Sequence, residues 1–392
     1  MAVTVNIPSF DPEFDVVEFN NMVTPYTNRL FNSLADGGLR IGVLSCTARE
    51  RNRQWGAIEQ QRYTHRVLRG IELRVAPRRL AHFNLGIWSA LSRMKPRLLV
   101  LNGFYPSMLA AWGWARWTGT PFALRIDGSA GDMPQSAYHR IIRPMMLRGC
   151  RAILTPGIKG RRYFADHGLP GERLFEMPLI PAWDAPAVIP AGQARKTDLL
   201  WVAEIDESVK NAGFFVEIVR RLHARRPGLT VRVVGRDRAF GLARRLEEAG
   251  ISLRYDVSLP WQGMADVFAD ARLLFLPSYR EAWGLVCDEA MQCGTPCLVS
   301  PHVGAADDLV RDGVNGRVLP LDIHGWVTAA EALLDNLARW TAMSERARSD
   351  VSRRSIHASA SIYRAMSALV LDEAPSRSGL GEQSPAVTDM SS

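Results

Sequence analysis

The sequence has no run of about eighteen apolar residues, the length that a helix needs to cross a bilayer. Its nearest approach, residues 106–124, is interrupted by Arg116. There is no Asp-x-Asp triplet, no Cys-x-x-Cys pair and no histidine-rich cluster, so the usual local ways of holding a metal are missing. The five cysteines (Cys46, Cys150, Cys287, Cys293 and Cys297) are an odd number. They read as small buried hydrophobes rather than a disulfide frame. The opening Met-Ala-Val-Thr leads into Asp11, Glu13, Asp15 and Glu18 without the basic-then-apolar pattern of a signal peptide. The expected address is the cytoplasm.

What is present suits a soluble two-domain protein. A chain of 392 residues, 47% hydrophobic and 22% charged, can build two cores of ordinary size. Its charge is uneven: residues 1–196 carry 26 Lys and Arg against 14 Asp and Glu, and the remainder carry 22 against 26. The first half therefore offers a surface for something anionic. One basic stretch, residues 66–97, holds Arg66, Arg69, Arg74, Arg78, Arg79, Arg93, Lys95 and Arg97 against Glu72 alone. A second, residues 140–162, has no acid and interleaves its cations with Ile141, Ile142, Met145, Met146 and Leu147. Basic and apolar residues on one helix suit an anionic membrane surface, and equally a helix whose apolar face packs in a core. Trp112, Trp114 and Trp117 nearby fit either. Nothing in the sequence demands nucleic acid.

Apolar runs at 15–19, 39–44, 71–75, 98–101, 122–126 and 152–155 predict strands. Helical patterns at 83–94, 107–117 and 139–147 separate most of them. Thr24-Pro25 predicts a helix start and Gly37-Gly38 its end. Such alternation argues for a parallel sheet with helices on both faces. Ligands of these sheets sit outside the carboxyl ends of the strands. Asn20-Asn21, Asn102-Gly103 and Asp127-Gly128-Ser129 fall there, as ordinary turns or as site residues. Asp127, flanked by Arg125, is the candidate for the reaction centre.

Prolines at 178, 181, 186 and 190 mark an inter-domain connection. A second alternation follows, with strands at 199–202, 231–234, 253–255 and 273–276 and helices at 212–222, 241–249 and 264–269. The expected division is residues 1–183, a linker at 184–196, and 197–350, with a helix at 351–371 returning to the first domain. Residues 374–392, rich in Ser, Pro and Gly, read as a disordered tail.

Residues 276–320 organise the second domain. A buried run ends at Pro277-Ser278, a loop carries Glu281, and a helix starts near Gly284 with Glu289 on its second turn. Gly294 and Pro296 stop it before another apolar strand. The frame Glu281, Gly284-Leu285, Glu289-Ala290, Gly294, Pro296, Gly304 and Asp308 resembles the E-x7-E region of the retaining glycosyltransferases of group 1 (GT4). The resemblance implies α/β architecture of the GT-B type: two doubly wound Rossmann-like domains facing across a cleft. It also implies that Glu281 meets the transferred sugar, that Glu289 meets the ribose, and that Gly284 and Leu285 present N–H groups to a diphosphate.

Residues 201–213 (WVAEIDESVKNAG) resemble the family's diphosphate loop, with Lys210 at the lysine position. Glu204 stands where the family has arginine, so Arg236 or another cation is expected to offset it. Asp127 stands where many members place histidine, and Met22-Val23-Thr24 replaces a pair of glycines. The implied catalytic set is Glu281, Lys210 and Asp127, with donor contacts from Glu289, Gly284, Leu285, Lys210 and Arg236. No metal or cofactor is implied; the donor substrate is a nucleotide-diphosphate sugar and the acceptor a saccharide or lipid-linked saccharide. Peripheral contact with an anionic membrane through the basic domain is a further expectation. A nucleotide-sugar epimerase and a non-catalytic member that binds a nucleotide sugar or a partner transferase remain as alternatives.

Overall fold

Strands buried on both faces must be apolar nearly throughout, and those of this chain are. The computed structural model describes residues 14–373 except 50–57, 59, 77–78, 129–132, 134–135, 239 and 307. Ser129, Arg78 and the expected tail at 374–392 lie outside the described residues.

The first domain opens with β1 (Phe14–Asn20), α1 (Pro25–Asp36), β2 (Ile41–Ser45), β3 (Thr64–Val67), β4 (Gly70–Ala76) and β5 (Arg79–Asn84). It continues with α2 (Ile87–Met94), β6 (Pro96–Asn102), α3 (Pro106–Thr118), β7 (Phe122–Arg125), α4 (Ala137–Leu147), β8 (Ile153–Thr155), α5 (Ile158–Asp166) and β9 (Leu174–Glu176). Seven of these strands form a parallel sheet in the order β3-β2-β1-β6-β7-β8-β9. Thr24 caps α1 in a capping box with Thr27, and Pro25 occupies its first turn.

The second domain holds β10 (Thr197–Val202), α6 (Ala212–Arg225), β11 (Val231–Val234), α7 (Leu242–Glu247), β12 (Leu253–Asp256), α8 (Met264–Ala269) and β13 (Ala271–Leu276). After them come α9 (Leu285–Gln292), β14 (Cys297–Val299), β15 (Gly316–Val318), α10 (Ile323–Leu334) and α11 (Leu337–Val351). Its parallel sheet has the order β12-β11-β10-β13-β14-β15. Apolar clusters cover both faces of both sheets. The architecture is α/β, two doubly wound domains facing across a cleft.

Three expectations need correction. The run at 71–75 is not part of the parallel sheet: it is β4, paired antiparallel with β5 in a separate hairpin. The helix expected from Phe83 begins only at Ile87, because Phe83 belongs to β5 and Gly86 turns the chain in a left-handed conformation (φ 75°). The returning helix expected from residue 351 begins only at Ile356, since Val351 ends α11 and the chain turns over 352–355. A new helix, α12 (Ile356–Asp372), starts where the Ser355 side chain accepts from the Ala358 N–H. α12 lies on the first domain, where Tyr363, Met366 and Val370 share a core with Leu30, Phe31 and Leu34 of α1.

Candidate active site

The order of each sheet has a switch point, where chain direction along the sheet reverses and the loops part to leave a crevice. In the second sheet it lies between β10 and β13. The loops leaving those two strands carry Lys210 and Glu281, whose side chains form an ion pair. Backbone bonds bring them together: the Tyr279 N–H donates to the Val209 carbonyl at 2.8 Å. The Lys210 loop is itself braced, with Asp206 Oδ1 accepting from the Val209 N–H at 2.8 Å.

Glu281 is held from the other side by the loop after β14. The Gly304 N–H donates to the Glu281 carbonyl at 3.1 Å, and the Ala305 N–H to the Trp283 carbonyl at 2.8 Å. Only glycine fits at 304, since a Cβ there would lie 2.1 Å from the Ala282 carbonyl oxygen. Gly284 caps α9 with φ 94°, a conformation that favours glycine. The Cys287 N–H donates to the Gly284 carbonyl at 2.8 Å, and the Leu285 N–H at the first position of α9 opens beside Glu281 without an intrahelical acceptor.

Glu289 follows one turn along α9 and has no hydrogen-bond or ion-pair partner among the described residues. It is half-buried at its surface, yet burial of its carboxyl, with Asp288 beside it, pushes the pKa up to about 8. Asp288 is different. It is fully buried, accepts from Trp283 Nε1 at 2.7 Å and from Arg354 Nε at 2.9 Å, and serves to fix the start of α9. Burial raises its pKa against the pull of Arg354.

Glu204 pairs with Arg238, at 2.5 Å, so the offsetting cation is Arg238 rather than Arg236. The negative charge in the loop after β10 is thereby neutralised. Arg236, just past the end of β11, has no ion pair among the described residues and stands available to a ligand.

Asp127 comes from the opposite domain. Its side faces a void of about 10 Å³ that Gly128, Thr155, Ala282, Trp283 and Gly304 also line. Asp127 thus meets the neighbours of Glu281 across the cleft. Beneath it, Arg125 donates to Glu18 Oε1 at 2.7 Å and to Asn20 Oδ1 at 3.0 Å, and Tyr363 of α12 donates to Glu18 Oε2 at 2.8 Å. Burial disfavours the charge on Arg125, but Glu18 and Asp127 together raise its pKa.

Ile158 and Lys159, which the sequence does not single out as site residues, meet the second domain at the cleft. The Ile158 N–H donates to Asp308 Oδ2 at 2.8 Å, and Lys159 Nζ donates to the Val303 carbonyl at 2.9 Å and the Pro301 carbonyl at 3.0 Å. Gly157 permits this approach, since a Cβ there would lie 2.1 Å from Asp308 Oδ2. A strand end followed by Gly157-Ile158-Lys159 was the available signal. The void that Asp127 faces has room for about one water.

Two parallel α/β domains with strand ends opposed across a cleft define the GT-B class. Residues 196–336 match the family described as "Glycosyl transferases group 1", and residues 23–179 match "Glycosyl transferase 4-like domain". The chain belongs to the group 1 glycosyltransferase family. Anabaena HepE, crystallised with UDP and glucose, is similar in structure with a TM-score of 0.69 and 13% identity, over 90% of this chain and 99% of that one. The lipopolysaccharide outer core galactosyltransferase WaaB, in its apo form, gives a TM-score of 0.65 at 14% identity, over 90% and 98%. Those likenesses concern the fold. In sequence, a D-inositol 3-phosphate glycosyltransferase of Mycolicibacterium paratuberculosis is 37% identical over 140 residues, 33% of this chain and 32% of the relative. One from Mycobacterium bovis is 38% identical over 128 residues, 30% and 26%. The chain thus spans about a third or less of the length of these curated relatives. No helix among the described residues is long and apolar enough to cross a membrane.

Proposed function

We propose that this chain moves a glycosyl group from a nucleotide-diphosphate sugar to a saccharide or lipid-linked saccharide, with retention of configuration and without a metal. The observation that carries the reading is the meeting of Lys210, Glu281 and the start of α9 at the switch point of the second sheet. A diphosphate seated there gains the Lys210 ammonium and the Gly284 and Leu285 N–H groups, with Arg236 as a second cation. Glu281 accepts from sugar hydroxyls once the phosphate has drawn Lys210 away from it. Glu289, unpartnered and with two oxygens, suits the paired hydroxyls of a ribose.

In the transfer, the bond from the anomeric carbon to the phosphate oxygen breaks and its electron pair leaves with the nucleoside diphosphate. The acceptor oxygen bonds to the same face of that carbon, and its proton passes to the departing phosphate oxygen. Asp127 reaches the centre from the acceptor-side domain. The Arg238 partner of Glu204 favours this reading over a non-catalytic one, because it removes the repulsion that the glutamate alone would exert. The proposed setting is the cytoplasmic face of an anionic membrane, where a lipid-linked acceptor would be met.

The test is release of nucleoside diphosphate by purified protein across UDP-, GDP- and ADP-sugars. UDP heads the panel because the Anabaena neighbour was crystallised with it. Turnover that falls in Glu281→Ala, with a smaller loss of nucleotide affinity, and affinity that falls in Glu289→Ala support the assignment. Wild-type rates in both variants would sink it.

A further inference from the structure

Trp283 sits between Glu281 and Gly284, in the loop that carries the candidate donor site, and three parts of the chain grip its indole. From α9, Asp288 Oδ2 accepts from Trp283 Nε1 at 2.7 Å. From the turn between α11 and α12, the Arg354 guanidinium lies over the ring, 4.6 Å from its centroid. From the first domain, Gly157 meets the opposite edge of the indole: a Cβ there would lie 2.5 Å from Trp283 Cζ3 and 3.0 Å from Cη2. Trp283 is 3% exposed.

Arg354 joins the same three parts. Its Nε donates to Asp288 Oδ1 at 2.9 Å, and an Nη to the Pro156 carbonyl at 3.4 Å, beside Gly157. Both oxygens of the fully buried Asp288 are therefore taken. A buried ion pair adds little net stability over apolar packing, so the worth of this one lies in geometry. A guanidinium can stack on a ring while its N–H groups meet a carboxylate and a carbonyl at fixed angles; an ammonium cannot. Pro156, Gly157 and Trp283 line the void that Asp127 faces, so what the grip fixes is the spacing across the cleft.

We infer that Trp283 is a positioning residue that sets the Glu281 loop against the first domain, with Asp288 and Arg354 holding the indole in place. One edge of the ring rests on Gly157, on the side of Asp127, and the other is tied to α9 beside Leu285. Moving the ring shifts Glu281 relative to Asp127. Lys210 and Arg236 come from the loops after β10 and β11, which take no part in this grip among the described residues. Turnover should therefore fall further than nucleotide affinity. That kinetic consequence rests on the proposed transfer; the geometry does not.

In the full-length protein, Arg354→Lys keeps the charge and loses the stack and the fork. Trp283→Phe keeps an aromatic ring and loses both the N–H and the edge that reaches Gly157. Hydrogen exchange is followed at the Ile158 N–H, whose bond to Asp308 crosses the cleft, and at amides of β1, β10 and β13. The Ile158 N–H is expected to exchange about 10-fold faster in both variants, the worth of one hydrogen bond to a charged group, while the sheets keep wild-type rates. Release of nucleoside diphosphate from UDP-, GDP- or ADP-sugars should show kcat about 10-fold lower, with affinity for the matching nucleoside diphosphate within about twofold of wild type. Wild-type exchange at Ile158, or wild-type kcat in an active enzyme, overturns the inference. So does faster exchange spread evenly over both sheets, which marks a role in folding alone. Affinity that falls as far as kcat would put Trp283 in the donor site and overturn the positioning role. Faster exchange at Ile158 alone, where wild type releases no nucleoside diphosphate from any of these sugars, upholds the positioning and overturns the proposed transfer.

Discussion

The two faces of the cleft are built on different terms. On the second domain the loops after β10, β13 and β14 are stitched to each other; Lys210 pairs with Glu281, and Glu204 with Arg238 from the loop after β11. On the first domain, polar atoms at the strand ends wait without partners among the described residues. They include Asn20 Nδ2, Asn21 Oδ1 and Thr155 Oγ1. Unsatisfied buried groups cost stability and are kept where a ligand completes them. A donor built around a constant diphosphate calls for a site made in advance. An acceptor of several hydroxyls calls for donors and acceptors left open. On the proposed function, the second domain recognises charge, and the first domain hydroxyl pattern.

The largest test of this contrast is Gly304→Ala. The new Cβ meets backbone, 2.1 Å from the Ala282 oxygen and 2.7 Å from Trp283 Cα, so the loop that braces Glu281 has to move. The thermal midpoint should fall with a loss of about 1–3 kcal/mol, and transfer should be abolished. Lys210→Ala comes next, with nucleoside diphosphate affinity falling about 10- to 100-fold, the worth of a hydrogen bond to a charged group. Thr155→Val probes the other face. The hydroxyl has no partner to lose, so stability should hold, whereas the acceptor KM should rise about fivefold at unchanged donor affinity.

The smallest effect concerns Glu289, the carboxylate on the donor side without a counter-charge. Its folded pKa of about 8 lies above the usual 4.5. The folded state therefore binds its proton more tightly, and the associated stability is full below about pH 4.5 and lost as pH rises through about 8. Glu289→Gln should gain on wild type by about 1 kcal/mol between pH 5 and 9, the half-open site discounting the full linkage. Parallel pH–stability curves would contradict it.

Much of this was legible in the sequence because it is local. The glycine at 284 and the glutamates at 281 and 289 fall within one strand–loop–helix unit, whose geometry follows from the chain's own spacing. The βα alternation likewise announces both sheets. Legibility fails where partners are distant in sequence. Lys159 meets Val303 only because two domains fold towards each other, and Arg354 reaches Asp288 from 66 residues away in the chain. The choice of Arg238 over Arg236 depends on the backbone after Gly235, whose φ of 143° turns the chain. Strands β3, β9 and β15, of three or four residues, are too short to display a period.

In the proposed function, the second domain holds the nucleotide diphosphate and the first does not. Isothermal titration of one nucleoside diphosphate into wild type, Lys210→Ala and Asp127→Ala measures it directly. Affinity is expected to fall sharply in the Lys210 variant and to stay at the wild-type value in the Asp127 variant. Unchanged affinity for Lys210→Ala, with a loss for Asp127→Ala, would contradict it.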